Sequence, residues 1–259
     1  MNTLTLSDVS CHFGGVAAVS GLSFSVASGE VLSLIGPNGA GKTTVLNLIS
    51  GFNQASSGTI RMGNADITSL PVHARAALGL QRTFQNLQIF FNMSALENVM
   101  VGFHQHQDTG VLSSLFGLQK IRAQNRVAEE RAHALMEQVG LRSWLASDTA
   151  SMPYGALKRL EIARALAAAP KFLLLDEPAA GLNPSETAAI DELIRSIAAS
   201  GVAVMLVEHD MKLVMNISQR ILVLNYGKQL ATGTPAEIRA NPRVIEAYLG
   251  VASALREAA

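Results

Sequence analysis

Two kinds of hydrophobic pattern alternate along this chain. Short apolar runs bounded by Gly and Ser occupy residues 2–35, and uninterrupted apolar runs return in KFLLLDE (171–177) and VAVMLVE (202–208). Short apolar runs predict β-strands, and a strand without polar alternation is typical of a parallel sheet covered on both faces. A hairpin is predicted in SGTIRMGNADI at Gly63-Asn64.

Helical periodicity fills the stretches between these strands. It is found at residues 42–50, at about 71–140, at 186–200 and from about Pro235 to Leu249. Strands that alternate with helices predict an α/β fold, here with a helical insert. The residues expected to share one face of the helix that ends near Gly140 are Val127, Ala134, Leu135 and Val139.

The charge balance and the single cysteine exclude several classes of protein. Lys and Arg number 20, and Asp and Glu also number 20, so the 259-residue chain is formally neutral and has no basic excess that would indicate a nucleic-acid partner. Cys11 is the single cysteine, which excludes an intramolecular disulfide, and we expect it to be a small packing residue. Because the first basic residue is Lys42 and no apolar stretch of ~20 residues occurs, neither a secretory signal nor a membrane span is predicted. These features favour a cytoplasmic protein.

A glycine-rich segment directly follows a predicted strand and opens a predicted helix. It matches the pattern G-x-x-x-x-G-K-[ST]. Its backbone N–H groups and the helix N-terminus favour phosphate oxygens, the Lys42 ammonium would bridge the β- and γ-phosphates, and the Thr43 hydroxyl would bind Mg²⁺. The residues predicted to bind nucleotide here are Gly36, Pro37, Asn38, Gly39, Ala40, Gly41, Lys42, Thr43 and Thr44.

Polar side chains with catalytic potential lie near the ends of the predicted parallel strands. Asp176 and Glu177 end one apolar run, and His209 follows the next. Since ligands of such folds bind at the carboxyl ends of the strands, Asp176 is expected to hold Mg²⁺ through water and Glu177 to polarise the water that attacks the γ-phosphate. His209 is expected to hydrogen-bond the γ-phosphate, and the amide of Gln85 to sense Mg²⁺ or the attacking water. The alternatives are a structural histidine and an exposed loop glutamine.

These segments resemble, in order, the motifs of ABC transporter ATP-binding subunits. GPNGAGKTT is similar to the Walker A motif, FLLLDE to the Walker B motif, Gln85 to the Q-loop residue and His209 to the switch histidine. CHFGGVAAV, RTFQN, DEPAAGLNP, EHDMKLVM and GTPAEIRANP resemble the LivG-type ATPases of branched-chain amino-acid importers. The resemblance implies one ABC ATPase domain over residues 1–259. It also implies a P-loop NTPase (RecA-like) core with an N-terminal antiparallel β subdomain and an α-helical signature subdomain inserted at residues 86–158.

The resemblance also assigns roles that spacing alone does not give. It implies that Phe13 stacks on adenine, the alternative being an ordinary core phenylalanine of a β-sheet. Tyr154 and Gly155 stand in the signature segment, which in this family contacts a nucleotide held by a second subunit. Pro153 and Ala156 depart from the Ser and Gln of the family pattern. Because Pro153 cannot donate a hydroxyl hydrogen bond to the γ-phosphate, we expect a working but weaker contact from this signature.

The function implied by the resemblance is ATP hydrolysis coupled to uptake of leucine, isoleucine and valine. ATP and Mg²⁺ are the implied cofactors. The implied partners are a second ATPase subunit, two membrane permease subunits at the cytoplasmic face of the membrane and, indirectly, a solute-binding protein. Asn183 replaces the Asp of many relatives, and this loss of charge favours a non-identical, LivF-like ATPase partner.

Other functions stay open at this point. Related importers carry urea, short amides or other small solutes, and some ABC ATPases act without a membrane partner. A P-loop kinase or GTPase is disfavoured, because neither a lid with an acceptor site nor an N-K-x-D-type segment is found. The stretch Leu87–Phe91 is either a docking surface for a permease loop or part of the core. His104 and His106 are expected to be surface residues rather than metal ligands.

Overall fold

Two β-sheets form the framework of the chain, which a computed structural model describes at residues 3–103 and 118–248. The strands are β1 (Thr3–Phe13), β2 (Val16–Ala27), β3 (Val31–Ile35), β4 (Ser57–Met62), β5 (Ala65–Asp66), β6 (Leu80–Arg82), β7 (Phe172–Asp176), β8 (Ala203–Val207), β9 (Arg220–Asn225) and β10 (Lys228–Gly233). One sheet, of order β2-β1-β4-β5, is antiparallel. The other, of order β10-β9-β3-β8-β7-β6, is parallel apart from the edge pair β10 and β9.

Helices cover the mixed sheet and fill the insert between β6 and β7. They are α1 (Lys42–Ser50), α2 (Val72–Ala77), α3 (Ala95–Val101), α4 (Leu118–Gln138), α5 (Tyr154–Ala167), α6 (Pro184–Ala199), α7 (Met211–Ile217) and α8 (Pro235–Ala240). Short 3-10 turns lie between α4 and α5 at Arg142–Trp144 and Thr149–Ser151. The predicted α/β core, the antiparallel β subdomain and the Gly63-Asn64 hairpin are thereby confirmed. The proposed subdomain boundary at residue 158 falls inside α5 and stays a prediction.

Hydrophobic clusters occupy both faces of the mixed sheet. One joins the helices of the insert and α6 to alternate residues of β7 and β8. The other lies between the two sheets and contains α1, which follows the glycine-rich loop. Strands β3, β7 and β8 are buried along their whole length, as expected for parallel strands covered on both faces. The carboxyl ends of these strands are therefore held rigidly at one edge.

The C-terminal end of helix α1 is capped by a fully buried arginine of α2. The guanidinium of Arg75 donates hydrogen bonds to the carbonyls of Leu48 and Ile49 at 2.5 and 2.9 Å, and also to those of Leu70 and Thr68. A cation at these otherwise orphaned carbonyls complements the negative end of the helix. Desolvation lowers the pKa of Arg75.

Two predictions about secondary structure are wrong. Residues Leu80–Arg82 lie in the stretch predicted to be helical but form the edge strand β6, because they pair in parallel with β7. The predicted closing helix from Pro235 is interrupted at Asn241, which has an extended backbone, and helix resumes at 242–248. A residue before proline is pushed out of the α region, and Pro242 follows Asn241. Leu249 lies outside the described residues.

The face predicted for α4 is only partly buried, since Val139 is buried and Leu135 packs against the core. Val127 is 43% exposed, and Ala134 is exposed as well. The helix forms as predicted, but it turns Ala128 and Ala132 toward the core. Their small side chains allow α4 to pack closely against α3 and α5. Within residues 126–138 of α4, the buried residues are Ala128, Ala132 and Met136, joined by Val139 just beyond the helix.

Candidate active site

The glycine-rich loop connects β3 to α1 and is fitted closely to the strands around it. Gly36 and Gly41 have φ values of 155° and 101°. A Cβ on Gly36 would collide with the carbonyl of Leu224, and one on Gly41 would lie 2.6 Å from the carbonyl oxygen of Ala18. Glycine is therefore required at both positions, and the loop can close tightly into a backbone cradle.

The Lys42 side chain crosses this cradle. It is 7% exposed, and its Nζ donates to the carbonyl oxygens of Gly36 at 2.7 Å and Pro37 at 3.1 Å. Burial lowers the pKa of the Lys42 ammonium, and the carboxylates of Glu177 and Asp176 oppose this shift. A nearly desolvated cation beside the N-terminus of α1 suits an anionic ligand.

A cavity of about 530 Å³ opens above the loop. One part of its wall is polar and belongs to the loop and the catalytic candidates, and another part is apolar and belongs to β2 and the β9–β10 turn. The lining residues are Val16, Ala17, Ala18, Asn38, Gly39, Ala40, Gly41, Lys42, Thr43, Thr44, Gln85, Glu177, Val207, His209, Tyr226 and Gly227. The structure thus brings together most residues that the sequence predicted for nucleotide binding.

Three of the catalytic candidates meet at the carboxylate of Glu177. His209 Nε2 lies 2.8 Å from Glu177 Oε1, and Gln85 Nε2 donates to Glu177 Oε2 at 3.0 Å. Glu177 follows β7 with a φ of 50°, while its N–H donates to the carbonyl of Val207 at the end of β8. A positive φ is uncommon for a residue with a side chain and often marks a functional position. The carboxylate is mostly buried, whereas half of the His209 side chain is exposed.

Asp176 is held apart from that group by an arginine. Arg82 Nη2 lies 3.0 Å from Asp176 Oδ2, and both side chains are almost fully buried. Arg82 Nη1 also donates to the side chains of Asn47 and Ser50 on α1. Among the residues predicted to hold Mg²⁺, Thr43 and Gln85 line the cavity, whereas Asp176 is buried and is not part of the lining. Within the described residues no group of three or more His, Cys, Asp or Glu side chains could hold a metal ion on its own.

Sequence reasoning missed two charged residues that fix the loops of this site. Lys158 is 2% exposed, and its Nζ donates to the carbonyl of Gln85 at 3.1 Å and reaches that of Glu177 at 3.5 Å. The buried carboxylate of Glu208 accepts hydrogen bonds from the N–H groups of Ala179 and His209. Like Glu177, Glu208 closes an apolar run in the sequence. This pattern could have indicated that Glu208 lies at the same edge of the sheet as the catalytic candidates.

The signature residues do not line the cavity. Tyr154 begins α5, Gly155 follows it, and neither belongs to the cavity lining. Tyr154 is 45% exposed, and its ring lies 5.7 Å from Lys158 Nζ. A Cβ on Gly155 would collide with the carboxylate of Glu186. The N-terminus of α5 is therefore not part of the cavity wall of its own chain.

Phe13 is not a core residue, since it is 52% exposed at the end of β1. It is also absent from the cavity lining, so adenine stacking by Phe13 stays a prediction. The stretch Leu87–Phe91 is divided, because Ile89 is buried in the core whereas Phe90 and Phe91 are 43% and 52% exposed. His104 and His106 lie outside the described residues.

Comparison with known proteins decides the family. Residues 19–180, more than half of the chain, match the ABC transporter family. The chain belongs to this family. Residues 228–254 also match the branched-chain amino acid ATP-binding cassette transporter family.

Curated relatives and solved structures agree with this assignment. BraF, a high-affinity branched-chain amino acid transport ATP-binding protein of Pseudomonas aeruginosa, is 47% identical over 96% of this chain and 98% of that protein. LivG of Escherichia coli has the same description and is 44% identical over the same shares of the two chains. A crystal structure of a nucleotide-free ATP-binding cassette from an ABC transporter has 31% identity and a TM-score of 0.83, covering 96% of this chain and 99% of that one.

The predicted fold and the predicted enzyme class are therefore confirmed. The chain has the ABC ATPase fold, and it carries an ABC ATPase domain. Family members bind nucleotide, as in a related cassette crystallised in its ADP conformation, which is 29% identical with a TM-score of 0.83. No helix among the described residues is both long and apolar enough to cross a bilayer.

Proposed function

We propose that this chain is the ATP-hydrolysing subunit of an importer for branched-chain amino acids. The observation that carries the proposal is the convergence of Gln85 and His209 on the Glu177 carboxylate, in the cavity that Lys42 and the glycine-rich loop also line. The printed descriptions of BraF and LivG supply the transported solute. Leucine, isoleucine and valine are thus the proposed cargo.

The residues present suit a nucleoside triphosphate with its metal. Lys42 supplies a buried ammonium, and the loop backbone from Gly39 to Thr44 supplies N–H donors at the N-terminus of α1. Mg²⁺, when bound, neutralises charge on the β- and γ-phosphates. Thr43 and Gln85 would hold it directly. Because Arg82 already holds Asp176, we propose that this carboxylate acts on the metal through water.

Glu177 acts as the general base in this proposal. Its carboxylate accepts a hydrogen bond from Gln85, lies within hydrogen-bond distance of His209 and is anchored by the hydrogen bond of its own N–H to Val207. A base oriented in this way can polarise a water molecule for in-line attack on the γ-phosphate. His209 is half-exposed and can turn its imidazole from Glu177 to the γ-phosphate. Lys42 stabilises the charge that remains on the phosphates.

A second ATPase subunit completes the site. Tyr154 and Gly155 do not line this chain's own cavity, so the N-terminus of α5 is free to contact nucleotide held by a partner. Pro153 offers no hydroxyl at this point, and Asn183 offers no charge. We therefore propose a non-identical, LivF-like partner rather than a second copy of this chain.

The membrane permease subunits would contact the insert that begins after Gln85. Phe90 and Phe91 are exposed there, whereas Ile89 beneath them is buried. The Q-loop is tied to the catalytic region through the hydrogen bond between Gln85 and Glu177, so movement of one can reach the other. Two permeases at the cytoplasmic face, with a solute-binding protein that acts through them, complete the proposed importer.

Uptake of labelled amino acids in a bacterial strain that lacks its own LivG-type subunit tests this function. Expression of this chain should restore uptake of leucine, isoleucine and valine, whereas the Lys42→Met variant should not. Restored uptake of urea or short amides alone would support a related importer instead. Failure to co-purify with any permease subunit would favour an ABC ATPase that acts without a membrane partner.

A further inference from the structure

The two-residue turn between β9 and β10 places an aromatic residue in a backbone conformation that rarely suits one. Asn225 and Lys228 pair across the turn, and Tyr226 and Gly227 between them have φ values of 46° and 74°. Two consecutive positive φ values describe a type I′ turn, in which Asn, Asp or Gly is strongly preferred at the first position. Tyr226 therefore occupies this position at a conformational cost.

Packing within the chain does not explain this tyrosine. Its side chain is 85% exposed. Gly227 beside it is fixed firmly, since its N–H donates to the carbonyl of Ala40 at 3.0 Å and its carbonyl accepts from the N–H of Ser20 at 2.8 Å. The turn thus fixes the backbone of an exposed tyrosine beside the glycine-rich loop.

Tyr226 lines the same cavity as Lys42 and the catalytic group. The cavity wall has two chemically different parts. Lys42 and the loop N–H groups suit a triphosphate, whereas Val16, Ala17 and Tyr226 present apolar and aromatic surface. An apolar, aromatic wall beside a phosphate cradle suits the nucleoside part of the same ligand, since the faces of bases stack on aromatic rings.

We propose that Tyr226 binds the nucleoside of ATP and is an affinity-determining residue of the site. The inference rests on the proposed nucleotide function and adds to it a residue outside the recognised motifs. Phe13, the aromatic residue that the family resemblance assigns to adenine, is exposed but lies outside the cavity lining. Tyr226 belongs to the lining, and in this proposal the strain of its backbone is offset by the binding energy that its ring supplies.

Calorimetric titration of purified Tyr226→Asn and Tyr226→Phe tests the proposal, with MgATP and magnesium tripolyphosphate as the two probes. Tyr226→Asn should raise the Kd for MgATP by about fivefold or more, a modest share of what base stacking contributes. It should leave the tripolyphosphate Kd unchanged. Tyr226→Phe keeps the ring and should bind MgATP within about twofold of the unaltered chain.

The same substitution provides a control for folding. Asn is favoured at the first position of a type I′ turn, so Tyr226→Asn should raise Tm by about 2–4 °C while it weakens MgATP binding. Loss of affinity together with gained stability is a result that a merely structural tyrosine cannot give.

Two other outcomes are distinguishable. An MgATP Kd for Tyr226→Asn that stays within about twofold of the unaltered chain overturns the role of Tyr226 and leaves the proposed function standing. If the unaltered chain binds neither MgATP nor tripolyphosphate, the proposed function fails, and this inference fails with it.

Discussion

At the scale of single residues, the site depends on one carboxylate whose position several groups fix. Glu177 accepts a hydrogen bond from Gln85, lies 2.8 Å from His209 and is anchored through its own N–H and carbonyl. Its φ of 50° is strained for a residue with a side chain. The surrounding contacts maintain this conformation, which aims the carboxylate into the cavity.

Replacing the Glu177 carboxylate should separate the binding of MgATP from its hydrolysis. We predict that Glu177→Gln binds MgATP as the unaltered chain does but releases phosphate about 10²–10⁴-fold more slowly, the usual contribution of a general base. Gln keeps the size of the side chain but is not a base at neutral pH. Phosphate release and calorimetric binding, measured on the same preparation, check both halves. Turnover close to that of the unaltered chain would remove Glu177 from the role of base.

The sequence predicted these residues better than it predicted their contacts. Lys42, Glu177 and His209 follow apolar strands, and parallel topology brings strand ends to one edge, so their convergence could be predicted. The pairing of Asp176 with Arg82 could not, because β6 was not recognised as the neighbour of β7. Long-range pairing of so short a strand leaves no local signal in the sequence.

At the scale of elements, helix termini fix the loops that flank the site. Asn183 caps α6, where its side chain accepts hydrogen bonds from the N–H groups of Ser185 and Glu186. The Glu186 carboxylate returns a bond by accepting from the N–H of Asn183, which completes a capping box. This cap accounts for Asn183 locally, and Asp could cap the helix equally well.

Substitutions at the cap distinguish its structural role from any role of charge. Asn183→Ala should lower the free energy of unfolding by about 1 kcal/mol, and Tm by about 2–4 °C, because the first turn of α6 loses its acceptor. Asn183→Asp is the matched control and should retain Tm. Thermal unfolding followed by circular dichroism provides the measurement. An Ala variant as stable as the unaltered chain would contradict the cap.

A buried carboxylate in α5 gives the fold a pH dependence. Glu161 is 3% exposed and accepts a hydrogen bond from the N–H of Phe84 at 3.3 Å. Desolvation raises the pKa of Glu161 above its ordinary value of 4.5, although this hydrogen bond and the charges of Lys158 and Arg164 oppose the shift. The folded chain therefore retains this proton to higher pH than the unfolded chain does.

The sign of the pH effect follows from this difference. As pH rises from about 4.5 through the raised pKa, Glu161 must ionise inside the fold, and its contribution to stability falls. The difference in free energy of unfolding between Glu161→Gln and the unaltered chain should shift in favour of the variant as pH increases. Urea unfolding of both proteins at several pH values measures that difference. A difference that is constant with pH would contradict the proposed desolvation.

Element prediction succeeded where local signals agree with the tertiary fold. Helix α1 begins at Lys42 and ends before Gly51, which the glycine-rich loop and the terminal glycine both indicate. The face of α4 is predicted only in part, since Val139 is buried as expected but Val127 is exposed and Ala132 is buried. Hydrophobicity alone favours valine for the core, but the close approach of α3 and α5 to α4 favours alanine there. That choice is made by tertiary packing and is not present in the helix sequence.

At the scale of the whole molecule, the N-terminus of the signature helix α5 does not line the nucleotide cavity of its own chain. Tyr154 and Gly155 are outside the lining to which Lys42 and Glu177 belong. In the proposed assembly, one chain supplies the cavity to one composite site and the N-terminus of α5 to another. This arrangement supports the proposed assembly with a second ATPase subunit.

Activity should depend on that assembly. We predict that the isolated chain hydrolyses MgATP slowly, because its own Pro153 would leave a homodimer without a signature hydroxyl at each γ-phosphate. Adding a LivF-like subunit should raise the rate of phosphate release. Steady-state assays of each subunit alone and of equimolar mixtures provide the comparison. Fast, strongly cooperative hydrolysis by this chain alone would count against an obligate mixed pair.

The most direct measurement is calorimetric titration of the chain with MgATP, alongside the Lys42→Met variant. Lys42 carries a buried ammonium held among the carbonyls of the cradle, and methionine keeps most of its length without its charge. The account predicts clear saturable binding by the unaltered chain and an affinity at least about tenfold weaker for Lys42→Met, the effect of losing one charge-assisted hydrogen bond. Absence of binding by the unaltered chain, or equal affinity in the two proteins, would contradict it.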